Sequence, residues 1–208
     1  MKVETIKNRL NKARARYERK GHERLLMPFT KFVMLMPYMT KQSIDTLVAI
    51  PPPHTFAGVA VPQSLQMETF GTLTQLQGSA KDDDYLKTCC GLVSVLTGVK
   101  SAKVATMPAI EVLGIVNMVQ SEMERISKLF QSLNTDKTSD ELSAGIEKLN
   151  FGAFGIVDWY AQRMGIIDHE EVFNTPWARI YQCMKIDHEN NEFEKRYRRI
   201  IEQRSKRK

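Results

Sequence analysis

Cysteine and histidine are scarce in this chain, and the few present are not spaced for the chemistry those residues carry. Three cysteines and four histidines occur in 208 residues. Cys89, Cys90 and Cys183 make neither a metal-ligand spacing nor the even set of a disulfide framework. The adjacent pair falls in an apolar segment, where buried thiols are expected, and a reducing, cytoplasmic compartment follows. His22, His54, His169 and His188 meet no second ligand at helical spacing, so no zinc site is expected. The acidic runs Asp82–Asp84 and Asp168–Glu171 read as helix caps and dipole partners rather than cation sites. Dinucleotide and P-loop glycine motifs are missing, as is a nucleophile elbow. The "FGAFG" at 151–155 has the wrong spacing for a phosphate cradle, and its glycines suit close helix–helix approach. Cys183 has no base within a turn. No catalytic residue, metal or cofactor is therefore expected, and the chain reads as a non-enzyme.

Long apolar runs are also missing. Crossing a bilayer takes roughly 18–20 apolar residues, and the best candidate, 25–39, is broken by Pro28, Lys31 and Pro37. No membrane association is expected. Residues 1–24 are too charged for a secretory leader, and Glu4, Glu18 and Glu23 argue against an organelle transit peptide.

What is present is an ordinary globular composition, 42% apolar and 26% charged, with helical periodicity through most of the chain. Residues 2–20 suit a helix ended by Gly21. Three consecutive prolines at 51–53, with Gly58 and Pro62, make 50–66 a loop. The segment 42–50 suits a strand. Beyond it come a short helix closed by Gly78, a helix capped by Asp82–Asp84 and ended by Gly98, and a long helix started by Pro108. The apolar set of that long helix, Ile110, Leu113, Val116, Val119, Met123, Ile126, Phe130 and Leu133, steps by three and four throughout. Thr175-Pro176-Trp177 reads as a helix start, with the Thr hydroxyl as cap and Pro at the first helical position. The last helix runs to about Arg204 with one stripe from Trp177 to Ile200. No internal repeat is apparent. The expected fold is mainly α, a helical bundle with a Pro-rich loop and a short β element near residues 42–62.

Charge divides the chain further. The net is +6, yet residues 1–24 and 194–208 carry +6 each, which leaves 25–193 at −6. The expected organisation is a basic helical arm over 1–24, a main helical domain over 25–134, a C-terminal helical subdomain over 135–193 and a basic tail over 194–208. The polar run 134–141 is the internal boundary. In the arms, Arg9, Arg14, Arg16 and Arg19, and Arg196, Arg198 and Arg199, interleave with Tyr17 and Tyr197, a pattern suited to phosphate contact with stacking or to an acidic partner. Eleven methionines, concentrated in 27–39 and 107–123, suit adaptable apolar surfaces.

Two stretches carry a family resemblance. "VAVPQSLQMETFGTLTQLQ", followed by "LVSVLTG" and the long amphipathic helix, resembles tailed-bacteriophage morphogenesis proteins. The later stretch "WYAQRMGIIDHEEVFNTPWARIYQCMKI" looks like the late segment of tail assembly chaperones. Together they cover residues 59–134 and 152–190; the basic arm of 1–24 departs from the pattern. The resemblance implies a non-enzymatic helical protein that covers an apolar face of a tape-measure protein during assembly in the host cytoplasm. It implies partner contacts by Leu65, Phe70, Leu73 and Leu76 and by Trp177, Ile180 and Tyr181, each of which also suits a core. Three readings stay open: a morphogenesis factor within an oligomeric assembly, a structural component of the virion neck or tail whose basic arms touch DNA or acidic neighbours, and a helical nucleic-acid-binding protein.

Overall fold

Proline, aspartate and glycine decide where the helices of this chain begin and end. The computed structural model describes residues 25–39, 50–80, 83–134, 137–149 and 151–206. The strand expected over 42–50 and the arm 1–24, with Arg9, Arg14, Arg16 and Arg19, lie outside the described residues. In chain order the helices are α1 (Phe29–Leu35), α2 (Phe70–Ser79), α3 (Tyr85–Thr97), α4 (Ser101–Val104), α5 (Ala109–Gln131), α6 (Ser139–Ser143), α7 (Gly152–Met164), α8 (His169–Phe173) and α9 (Trp177–Ser205). Between α1 and α2 a two-residue antiparallel ribbon pairs β1 (Thr55–Phe56) with β2 (Val59–Ala60). Its turn residues Ala57 and Gly58 both have positive φ, the signature of a tight hairpin turn. The fold is mainly α.

The acidic caps do what the dipole predicts. Asp84 Oδ1 accepts from the N–H groups of Leu86 and Lys87 at the start of α3, and Asp168 Oδ1 accepts from Glu170 N–H at the start of α8. Thr138 and Glu141 form a reciprocal capping box at α6. Gly98 ends α3 in the left-handed conformation. Gly78, expected as a terminator, sits inside the last turn of α2.

The chain divides into two compact units that interleave in sequence. The first comprises the described residues up to Ser64 together with Gln75–Ser121; the second comprises Leu65–Thr74 and the described residues from Glu122 onward. This division falls within α2 and α5 rather than at the polar run 134–141, and residues 194–205 of the basic tail continue α9. The reason is local: backbone pairing draws Leu65–Thr74 to the start of α9, as described below.

In the first unit two helices begin side by side. Pro28 is the N-cap of α1 and offers no side-chain cap, which leaves the first N–H groups of the helix in need of partners. An isolated antiparallel bridge between Pro28 and Pro108 supplies them. Phe29 N–H donates to Met107 C=O at 2.9 Å, Thr30 N–H to Ala105 C=O at 3.0 Å, and, in return, Ala109 N–H to Met27 C=O at 2.9 Å. Around this pairing the apolar positions of α1, α3 and α5 are buried, among them Phe29, Phe32, Cys89, Val93, Val112 and Val116. Helix α5 is covered on more than the one face its stripe predicts: Val112, Leu113, Ile115, Val116, Met118 and Val119 are all buried. The Pro-rich run is one of its covers. A Cβ placed on Gly114 would lie 2.3 Å from Pro51 O and 3.2 Å from Pro52 Cα, so the prolines lie directly on the α5 backbone.

Two glycine-to-alanine substitutions separate packing from propensity. Gly114→Ala is expected to cost about 1–3 kcal/mol, because the added methyl meets a backbone that cannot step aside. Gly78→Ala has no atom within 4 Å of the added Cβ and is expected to gain about 0.5–1 kcal/mol from helix propensity. Urea unfolding of the two variants reads both signs.

Candidate partner-binding surfaces

The second unit is built where the segment Leu65–Thr74 meets the start of α9. Pro176 is the N-cap of α9 and, like Pro28, provides no side-chain cap. An isolated bridge pairs it with Thr69. Phe70 N–H donates to Thr175 C=O at 2.9 Å and Trp177 N–H donates to Glu68 C=O at 3.2 Å. Thr69 Oγ1 caps α2 by accepting from Thr72 N–H at 3.1 Å. The expected hydroxyl cap at Thr175 is not made; that hydroxyl donates back to Glu171 C=O, and the chain's own backbone takes the capping role. Gly71 keeps this approach open, since a Cβ there would stand 3.0 Å from Phe173 O.

Side chains lock the same junction. Trp177 Nε1–H donates to Leu65 C=O at 2.7 Å, and Leu65 N–H donates to Glu122 Oε2 at 3.1 Å. Arg125 forks onto Glu122 through Nε and Nη2 at 2.9 and 3.0 Å and stands over the Trp177 ring at 5.9 Å. Phe130 closes the cluster against Trp177 and, edge-on at 5.5 Å, against Tyr181. The Arg125 guanidinium holds the Glu122 carboxyl below the usual carboxylate range; burial opposes this and the Leu65 N–H assists it. Sequence reasoning passed over Glu122 and Arg125. Their one signal is an acid and a base three residues apart on the long helix, a spacing that solvated helix faces share.

The structure thus puts most of the expected partner-contacting residues in the interior. Leu65, Phe70, Leu73, Leu76, Trp177 and Ile180 are all buried, and Tyr181 is half-buried. Leu65, Phe70 and Trp177 are tied into the helix-start pairing, Leu73 and Ile180 are buried in the same unit and Leu76 in the first, so they form core rather than an open docking face. The α9 stripe splits accordingly: Trp177 and Ile180 are inside, whereas Phe193, Tyr197 and Ile200 are exposed. Apolar side chains do reach the surface elsewhere in this unit, with Phe151 70% exposed, Phe154 55% and Ile167 99%.

Arg196, Arg198 and Arg199 project from the exposed half of α9, where Tyr197 stacks on Phe193 at 6.2 Å. The buried thiols sit in the first unit. Burial pushes Cys89 up to about 11 and raises Cys90 as well, so both stay protonated near neutral pH and are poor nucleophiles. Among the described residues, no group of three or more His, Cys, Asp or Glu could hold a metal ion, and no helix is long and apolar enough to cross a membrane. "FGAFG" forms the start of α7, with Gly152 at φ +54°, and a Cβ on Gly155 would stand 2.8 Å from Phe151 Cβ of the same turn. The expected helix–helix approach is replaced by a fit within one helix.

Comparison with family models, curated proteins and solved structures finds no match for this chain.

Two substitutions test the junction. Trp177→Phe keeps one six-membered ring but removes the fused five-membered ring with its N–H from a buried site; it is expected to cost about 2–4 kcal/mol, read by chemical denaturation. Glu122→Gln is expected to cost about 1 kcal/mol at neutral pH, since the pair is partly solvated. A carboxyl depressed in the folded state stabilises above its unfolded value of about 4.3, and that contribution is lost as pH falls through its folded value. The acid limb of the stability profile should therefore flatten in Glu122→Gln.

Proposed function

We propose that this protein is a non-enzymatic morphogenesis factor of a tailed bacteriophage, acting by protein–protein binding in the manner of a tail assembly chaperone. The observation that carries the reading is the Thr69–Pro176 bridge. The two stretches that resemble the phage proteins lie far apart in sequence, and this bridge pairs residues from both. The motif residues serve that pairing, so partner contact falls to the exposed apolar side chains of the same unit, Phe151, Phe154, Phe193 and Tyr197. Phe193 and Tyr197 stack on one another on the exposed half of α9, and adjacent exposed aromatics set among charges suit a binding surface. Its partners are other phage structural or tail proteins, met in the host cytoplasm during assembly as part of an oligomeric complex.

A second reading is favoured by a specific feature. Arg196, Arg198 and Arg199 surround Tyr197 on an exposed helix, an arrangement suited to DNA or to an acidic neighbour in the virion neck or tail. A helical nucleic-acid-binding protein outside any particle is the third.

Immunoblotting of purified virions separates them. A chaperone is expected in infected cells and absent from finished particles, whereas stoichiometric presence in particles would sink that role and favour the structural component. Duplex binding that falls steeply between low and physiological salt, with no role in particle assembly, would favour the third reading.

A further inference from the structure

Helices α7 and α9 of the second unit leave an open groove of about 640 Å³ between them, within the size range of ligand clefts. Gly155, Ile156 and Trp159 form one wall and Met184, Lys195 and Arg198 belong to the other. We propose that this groove receives an amphipathic helix bearing acidic side chains. The groove lining includes Arg198, one of the residues expected to bind a partner, and Phe151, one of those assigned to partner contact above. Its chemistry does not depend on the phage reading.

The shape and chemistry of the groove select the occupant. From Met184 to Arg198 the α9 wall runs about 21 Å at ~1.5 Å per residue, long enough for three to four turns of a third helix. Both walls are helices whose backbone groups are already paired internally, so an extended peptide would find no ladder to join. A helix brings its backbone hydrogen bonds with it. Ile156, Trp159 and Met184, all half-buried, give an apolar floor that calls for apolar side chains.

Charge supplies the second selection. Lys195 and Arg198 stand on one side of the floor, both exposed. Lys195 is paired with Glu192 at 2.9 Å, while Arg198 makes no ion pair among the described residues. Carboxylates on the flank of the incoming helix would meet this cation. A nucleic acid fits less well, because Glu194 also lines the groove and a continuous row of phosphates would face it. A helix can set its few carboxylates beside Arg198 and turn apolar or neutral residues to Glu194. The α9 of a second copy fits less well too, since its own exposed turns carry Arg196, Arg198 and Arg199 against the same cations.

The test uses the full chain and a fluorescein-labelled synthetic peptide of roughly 18 residues, about the groove's length with a margin. It carries leucines at i, i+3, i+4 and i+7 with glutamates beside them; a second peptide has lysines in place of the glutamates. Saturable 1:1 anisotropy binding of the acidic peptide, at least about tenfold tighter than the lysine peptide, is expected. Lys195→Glu/Arg198→Glu should weaken it about tenfold, and Asn191→Trp, placed on the groove lining, should block it. Both changes are at exposed positions, and circular dichroism checks that the fold is kept; if Asn191→Trp does not fold, the charge-reversal pair decides alone. Equal binding of the two peptides, no binding, or acidic-peptide affinity unmoved by the charge reversal overturns the proposal. So does a 20-base-pair duplex that displaces the peptide, or a dimer in sedimentation equilibrium that Asn191→Trp dissolves. Virion content of the protein moves none of these readouts, so this test and the assembly test fail separately.

Discussion

Each unit is organised by a pair of helix starts that cap one another through the backbone. A helix begins with N–H groups that have no partner inside it, and the usual remedy is a polar side chain at the N-cap. At Pro28 and Pro176 the chain uses proline instead, which sets the direction of the helix but offers no side-chain acceptor. The acceptors come from a distant carbonyl: Met107 and Ala105 for α1, and Glu68 for α9. In exchange, α5 and α2 have their first N–H groups satisfied by Met27 and Thr175. Burying such a group without a partner costs about 1–3 kcal/mol, so each helix start depends on the other's presence. The cores then assemble around fixed points.

The features legible in the sequence are those with local causes. Helix periodicity over 109–131, the aspartate caps at 84 and 168 and the left-handed stop at Gly98 can all be read within a few residues of where they act. The expectation of a mainly α fold rests on these and holds. The bridges are not local. Nothing near Pro176 announces that Glu68 will cap its helix, so the local sequence suggests for Thr175 a capping role its hydroxyl does not take. For the same reason composition points to the polar run 134–141 as a boundary, whereas the compact units divide inside α2 and α5, where packing changes.

The candidate site was legible in part. The apolar residues of the two motif stretches, expected at a partner surface, are mostly buried. A hydrophobic residue at helical spacing looks the same in sequence whether a core or a partner covers it. The groove beside α7 was the harder case. Its floor and rim come from residues such as Trp159, Met184 and Lys195 that are unremarkable singly and acquire meaning only when two helices stand apart. "FGAFG" was noticed for its glycines, and the structure relates those glycines to the turn that holds Phe151 and to the groove wall.

Because the bridge partners lie on the order of 100 residues apart, closing each pair carries a loop-entropy cost that grows only slowly with length but delays the helices it serves. The first turns of α1 and α9 gain their capping partners late, once the remote segment has arrived. The units also interleave along the chain, with Leu65–Thr74 belonging to the one completed by α9. A ribosome that has released residues up to the polar run has therefore made all of the first unit and only part of the second. A cut at that run would likewise strand Thr69 from Pro176. The chain cannot be halved at its most hydrophilic point into two self-sufficient pieces; its natural divisions run through helices.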